Sequence, residues 1–145
     1  MNFNRLTESD LTFLKGVVGA ERVSTGSSEL ELHSVDETYH RGYLPEAVVW
    51  PKTTEEVSLI LKMANERTIP VTPWGAGSSL EGNPLPVYKG IVLDFQQMDR
   101  ILDVRAESFQ VDVQPGVKYQ DMNKALSRYG LFYARIRGRM PPSEG

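Results

Sequence analysis

Pro70-Val71-Thr72-Pro73-Trp74-Gly75-Ala76-Gly77-Ser78-Ser79-Leu80-Glu81-Gly82-Asn83-Pro84 is the stretch whose reading decides how this 145-residue chain folds. A short apolar strand enters it, two glycines flank one alanine, and two serines follow. Glycine lets a backbone take positive φ and approach a ligand closely. Successive N–H groups in such a turn form an anion-binding hollow, to which serine hydroxyls add donors. The stretch predicts a cradle for phosphate groups at the end of a strand; a plain surface loop is the competing reading.

The residues before it supply the frame. Ala47-Val48-Val49-Trp50 is a β-rich run closed by Pro51, which cannot donate to a ladder. Thr53-Thr54-Glu55-Glu56 is a capping box, with Thr53 offering its hydroxyl to the N3 amide and Glu56 reaching back. Val57, Ile60, Leu61 and Ala64 then repeat at helical spacing, which predicts a helix over 54–67 with one buried stripe. Ile69 to Thr72 is the next strand. Strand, helix, strand is a βαβ unit, so its two strands are expected to be parallel neighbours. The glycine loop then sits at the carboxyl end of the second strand, where open α/β sheets bind ligands.

Downstream, Gly90 to Asp94 reads as a further strand. Ile101–Ala106 and Phe109–Val113 alternate apolar and polar residues, which predicts an antiparallel pair with one wet face, turning at Glu107-Ser108. Pro115-Gly116 breaks the pattern. Lys118–Tyr129 reads as a helix with Met122, Ala125, Leu126 and Tyr129 on one face and Gly130 as its left-handed cap. At the other end, residues 7–18 read as a helix capped by Thr7, with Leu11, Leu14, Val17 and Val18 on one face and Gly19 as its stop. Residues 24–28 read as loop, and 29–43 are polar and weakly patterned. His40 there is expected to be a surface or packing residue.

Composition narrows the chemistry. Hydrophobic content of 40%, charged content of 24% and a mean hydropathy of -0.34 are those of an ordinary globular domain. A net charge of -3 gives no footprint for nucleic acid or an anionic membrane. The absence of cysteine excludes disulfides, thiolate catalysis and iron–sulfur clusters, and two histidines are too few for a histidine-rich metal site. No apolar run approaches the roughly 20 residues of a membrane span. Met1-Asn2-Phe3-Asn4-Arg5 lacks the apolar core of a secretory signal, and the expected location is cytoplasmic.

Two phosphate-binding motifs fail. A Rossmann fingerprint needs a helix to begin inside the glycine loop and a third glycine where Leu80 stands. Here Pro84 and Pro86 bracket Leu85, and the next element reads as a strand. A P-loop needs a Gly-Lys-Ser/Thr that is absent. Asp36-Glu37 and Asp94 lack a histidine or second carboxylate at a catalytic spacing, and Glu81 beside the loop would repel phosphates unless it points away. Asp94 reads as a turn or cap residue, and Trp74 as a core plug beside the loop. No catalytic residue and no metal ligand is assigned.

Taken together, the blocks are similar to a known family. Pro45 to Val57, with its Pro-x-x-Val-x-x-Pro-x-Thr-x-Glu-Glu-Val pattern, resembles the opening of the FAD-binding domain shared by p-cresol methylhydroxylase and vanillyl-alcohol oxidase. Pro73 to Gly82 resembles its pyrophosphate loop. The Leu80-Glu81-Gly82 ending, Leu93 to Leu102 and Val113 to Val117 resemble the D-lactate dehydrogenase and glycolate oxidase FAD-subunit branch. A UDP-N-acetylenolpyruvoylglucosamine reductase-like enzyme shares the fold but typically carries Gly-Ser-Asn where this chain has Gly77-Ser78-Ser79. A non-enzymatic nucleotide-binding fragment is the alternative from another class.

The resemblance implies an α/β (α+β) fold: the first lobe of a two-lobed FAD-binding domain, a βαβ unit and the start of an antiparallel sheet. It implies FAD, with Trp74, Gly75, Ala76, Gly77, Ser78, Ser79, Gly82, Pro115 and Gly116 contacting or shaping its site. Some relatives tether FAD through a loop histidine; none stands here, so binding is expected to be non-covalent. The implied reaction oxidises a 2-hydroxy acid, D-lactate or glycolate, to the 2-oxo acid. Hydride goes to flavin N5, a base takes the hydroxyl proton, and electrons pass to a quinone or cytochrome.

The expected division is a lead-in over 1–44, a partial FAD-binding domain over 45–132, and an atypical tail over 133–145. After Phe132 the family continues with Pro-Pro-Asp-Pro-Gly-Ala-Asn-Ala-Ser-Ile-Gly-Gly or close to it. Shifting the reading frame from Ala134 onward allows Pro-Asp-Pro-Gly-Ala-Asn-Ala-Ser-Ile-Gly-Gly, with one alanine forced by Met140-Pro141. The tail is therefore expected to be family sequence translated out of frame. The catalytic histidines of the family lie in a later domain, so this chain is expected to be catalytically incomplete.

Overall fold

The computed structural model describes residues 2–134. The expectation of an out-of-frame tail falls mostly on residues 135–145, which lie outside them. Helix α1, Glu8–Val18, has a full capping box: Thr7 Oγ1 accepts from the Asp10 N–H, and Asp10 Oδ2 accepts from the Thr7 N–H. Strand β1, Val23–Ser24, follows a 3₁₀ turn. It exists only by pairing antiparallel with β2, Ala47–Val49, through Val23↔Val49 and Ser24↔Val48. Helix α2, Ser27–Leu32, lies in the segment expected to be loop and unpatterned polar chain.

Helix α3, Thr54–Arg67, is capped by the Thr53 hydroxyl as expected. Glu56 reaches back as expected, its carboxylate accepting from the Lys52 N–H and interacting with that of Thr53. One detail differs. The buried stripe uses Ile60, Met63 and Ala64, while Leu61 is exposed. Strand β3 is Val71–Trp74 and β4 is Ile91–Asp94.

The sheet order is β1-β2-β4-β3. β2 and β3 are parallel, but β4 runs between them and pairs with both. The expected adjacency of the βαβ strands is therefore corrected. The reason is burial: every residue of β4 is buried, which suits a central parallel strand. Pro73 lies in β3 at the sheet edge, where a missing N–H leaves no ladder partner unpaired.

Residues alternate between the two faces. Val49, Ile91 and Leu93 pack with Leu14, Val18, Ile60, Met63 and Ala64. Val48, Val92 and Trp74 pack on the opposite face with Leu30 of α2 and Trp50.

Strands β5, Ile101–Arg105, and β6, Gln110–Val113, form a separate antiparallel pair with an irregularity between Ile101 and Asp103. The expected dry face is only half realised: Val104 and Val111 are half-buried, while Leu102 and Phe109 are exposed. The irregularity breaks the two-residue period that would have put Leu102 beside Val104. Helix α4, Tyr119–Leu126, ends earlier than expected and continues as a 3₁₀ turn, with Gly130 at φ 68. Met122 and Leu126 are buried, whereas Tyr129 is exposed.

Candidate functional site

The carboxyl ends of β3 and β4 lie side by side, because Trp74 pairs with Asp94. The glycine loop leaves one strand and the 3₁₀ turn Phe95–Gln97 leaves the other. Pro115-Gly116 then packs against that turn. Gly116 donates its N–H to the Met98 carbonyl at 2.8 Å, and a Cβ at Gly116 would stand 2.0 Å from the Phe95 oxygen. Only glycine fits there, and the contact places the start of α4 opposite the glycine loop.

Between them lies a cavity of about 500 Å³, within the ordinary size of a small-molecule site of roughly 300–1,000 Å³. Gly75, Ala76 and Ser78 form one wall, Gln96, Pro115 and Gly116 lie at the junction, and Val117–Gln120 with Tyr133 form the other. A second hollow of about 370 Å³, lined by residues including Gly77 and Ser79, opens on the same loop. Most of the expected site residues therefore meet in space. Two do not reach either hollow. Trp74 is buried in the core, and Gly82 faces the His40 ring. His40 is exposed and packs there, as expected.

Among the described residues, no turn or cap hydrogen bond uses the N–H of Gly75, Ala76 or Gly77. A Cβ on Gly75 would meet nothing within 4 Å, so that stretch of backbone is open. Gly77 takes φ +64, with the indole of Trp74 beneath it. Across the cavity, the first turn of α4 has no side-chain cap and carries the positive end of its dipole. Lys118 is the one charged side chain among the lining residues described, and no carboxylate or histidine joins it. Among the described residues no cluster of metal-ligating side chains occurs, and no helix is long and apolar enough to cross a membrane.

Beneath the loop lies a buried polar cluster that sequence reasoning missed. His33 is 1% exposed. Its Nε2 lies 2.9 Å from Asp94 Oδ2, and its Nδ1 lies 2.8 Å from the Glu29 carbonyl. Asp94 caps the turn by accepting from the Gln96 N–H, as expected of a cap residue. It also accepts from Trp50 Nε1 at 3.0 Å and Gln96 Nε2 at 3.1 Å. Burial of the ring disfavours its charge, but the Asp94 and Glu29 hydrogen bonds outweigh this and raise the His33 pKa above its usual value.

A sequence profile described as an FAD binding domain matches residues 45–142. The chain belongs to the FAD-binding domain family. The match runs into the segment expected to be out of frame. A Danio rerio protein described as a probable mitochondrial D-lactate dehydrogenase is 35% identical over 126 residues, covering 87% of this chain and 25% of the relative. Glycolate oxidase subunit GlcD of Bacillus subtilis is 37% identical over 117 residues, covering 81% of this chain and 25% of the relative. The chain thus spans about a quarter of the length of these relatives. Among solved structures, substrate-bound p-cresol methylhydroxylase superposes with a TM-score of 0.75 at 23% identity, covering 87% of this chain and 26% of that one. This likeness bears on the fold, which is that of the p-cresol methylhydroxylase-type FAD-binding domain. The open backbone, facing helix terminus and lysine fit the phosphate portion of such a cofactor.

Proposed function

We propose that this chain holds the pyrophosphate of a non-covalently bound FAD within an oxidoreductase acting on a 2-hydroxy acid, D-lactate or glycolate. The observation that carries the reading is the cavity between the glycine loop and the start of α4. Gly75, Ala76, Gly77, Ser78 and Ser79 offer backbone and hydroxyl donors to the phosphates, and Lys118 balances their charge. Pro115 and Gly116 set the distance between the two walls, while Trp74 and Gly82 shape the loop from behind. When bound, FAD would supply the hydride acceptor, and a quinone or cytochrome would receive the electrons. The chain is read as a cofactor-holding part that is catalytically incomplete alone. The tail from Tyr133 is read as out of frame.

Titration of FAD into the purified chain, followed by flavin fluorescence and desalting, tests the first claim. Flavin retained by a folded chain is expected. A folded chain that takes up none overturns the cofactor reading, and turnover of D-lactate by the chain alone overturns the incompleteness. Resequencing the gene around the codon for Phe132 decides the reading of the tail.

A further inference from the structure

His33 is not among the residues lining the cavity, yet its surroundings are built around it. The Glu29 main-chain carbonyl can only accept, so Nδ1 carries a proton. Asp94 Oδ2 already receives Trp50 Nε1 and Gln96 Nε2, and the partner atom Nε2 faces it at 2.9 Å. With two N–H groups already donating to it, Oδ2 is left to face Nε2 as an acceptor, which is the arrangement of a doubly protonated ring. The charged groups facing it are Asp94 from β4 and Glu29 from α2. Toward β2 and β3 it meets the indoles of Trp50 and Trp74, at centroid distances of 6.0 and 4.9 Å.

Two routes lead from this ring to the cavity. The Trp74 indole lies under Gly77, so close that a Cβ there would stand 2.5 Å from it. Asp94 holds Gln96, which lines the cavity.

We propose that His33 is a positioning residue for the glycine loop: its imidazolium, clamped between Asp94 and the Glu29 carbonyl, fixes the Trp74 indole, and the indole fixes the turn at Gly77. The consequence for FAD rests on the cradle reading above. Loss of the ring charge removes the ionic half of the clamp and frees the indole to shift, so the loop changes with the ring's protonation.

Nitrogen-15 NMR of the ligand-free chain tests this directly. Both ring nitrogens of His33 are expected to be protonated below a midpoint that lies above 6.5, the value of an ordinary histidine. The amides of Trp74, Gly75 and Gly77 are expected to titrate with that same midpoint, and His33→Gln is expected to abolish their titration. Flavin affinity of that variant at pH 7 is expected to fall about tenfold, as for a lost buried charge-assisted hydrogen bond. A ring midpoint at or below 6.5, or loop amides that stay fixed while the ring titrates, overturns the assignment. A wild-type chain that takes no FAD would overturn the cradle reading alone, since the titration needs no flavin.

Discussion

At the scale of single residues, the two loop glycines serve different ends. Gly77 sits at φ +64 with the Trp74 ring against it, whereas Gly75 has open space where a side chain would go. Gly77→Ala meets a left-handed penalty of roughly 1–2 kcal/mol and must also displace the indole. Gly75→Ala meets neither, and its methyl group projects where a ligand would approach. Thermal melting is expected to fall clearly for Gly77→Ala and little for Gly75→Ala, while both weaken flavin binding. Equal melting temperatures would show that the indole does not brace the turn.

At the scale of elements, much of the frame was legible because it is local. Thr53 announces α3 three residues before the amide it caps, and Gly130 marks the end of the α4 segment. What escaped depends on distant partners. His33 finds Asp94 across 61 positions, and no local pattern marks it. β1 is two residues long and is a strand only through β2. α2 is short and mostly polar, with one apolar residue turned to the core. The order β2-β4-β3 follows from which strand buries both faces, a property of the assembled sheet.

The same contrast holds for Glu56, whose place in the cap was legible but whose partner was not. Arg22 donates to both of its oxygens at 2.8 Å, tying the 3₁₀ turn before β1 to the start of α3. The Arg22 hydrogen bonds hold the Glu56 carboxyl below its ordinary value despite the opposing effect of burial. A depressed folded value means that this stability is present above the unfolded pKa of about 4.5 and is lost as pH falls through the folded value. Glu56→Gln is expected to lower the melting temperature at pH 7 and to bring the two proteins closer together as pH falls below that range. A constant difference across the acid range would sink the argument.

At the scale of the whole molecule, the two sheets differ in how they are protected. The four-stranded sheet carries an apolar cluster on each face, but among the described residues β5 and β6 form a two-stranded pair, an arrangement marginal on its own in water. Phe109 is 81% and Leu102 59% exposed, and open strand edges beside apolar side chains invite pairing between copies. Phe109 carries a second burden: it adopts φ 54, a left-handed conformation that asparagine tolerates better. Phe109→Asn should therefore reduce self-association and hold or raise stability together, while Leu102→Lys should reduce association only. Sedimentation velocity across a concentration series, paired with thermal melts, separates the two effects. If Phe109→Asn destabilises the chain, the phenyl ring anchors the hairpin, and the exposed face contributes to this fold rather than standing as a surface open to another copy.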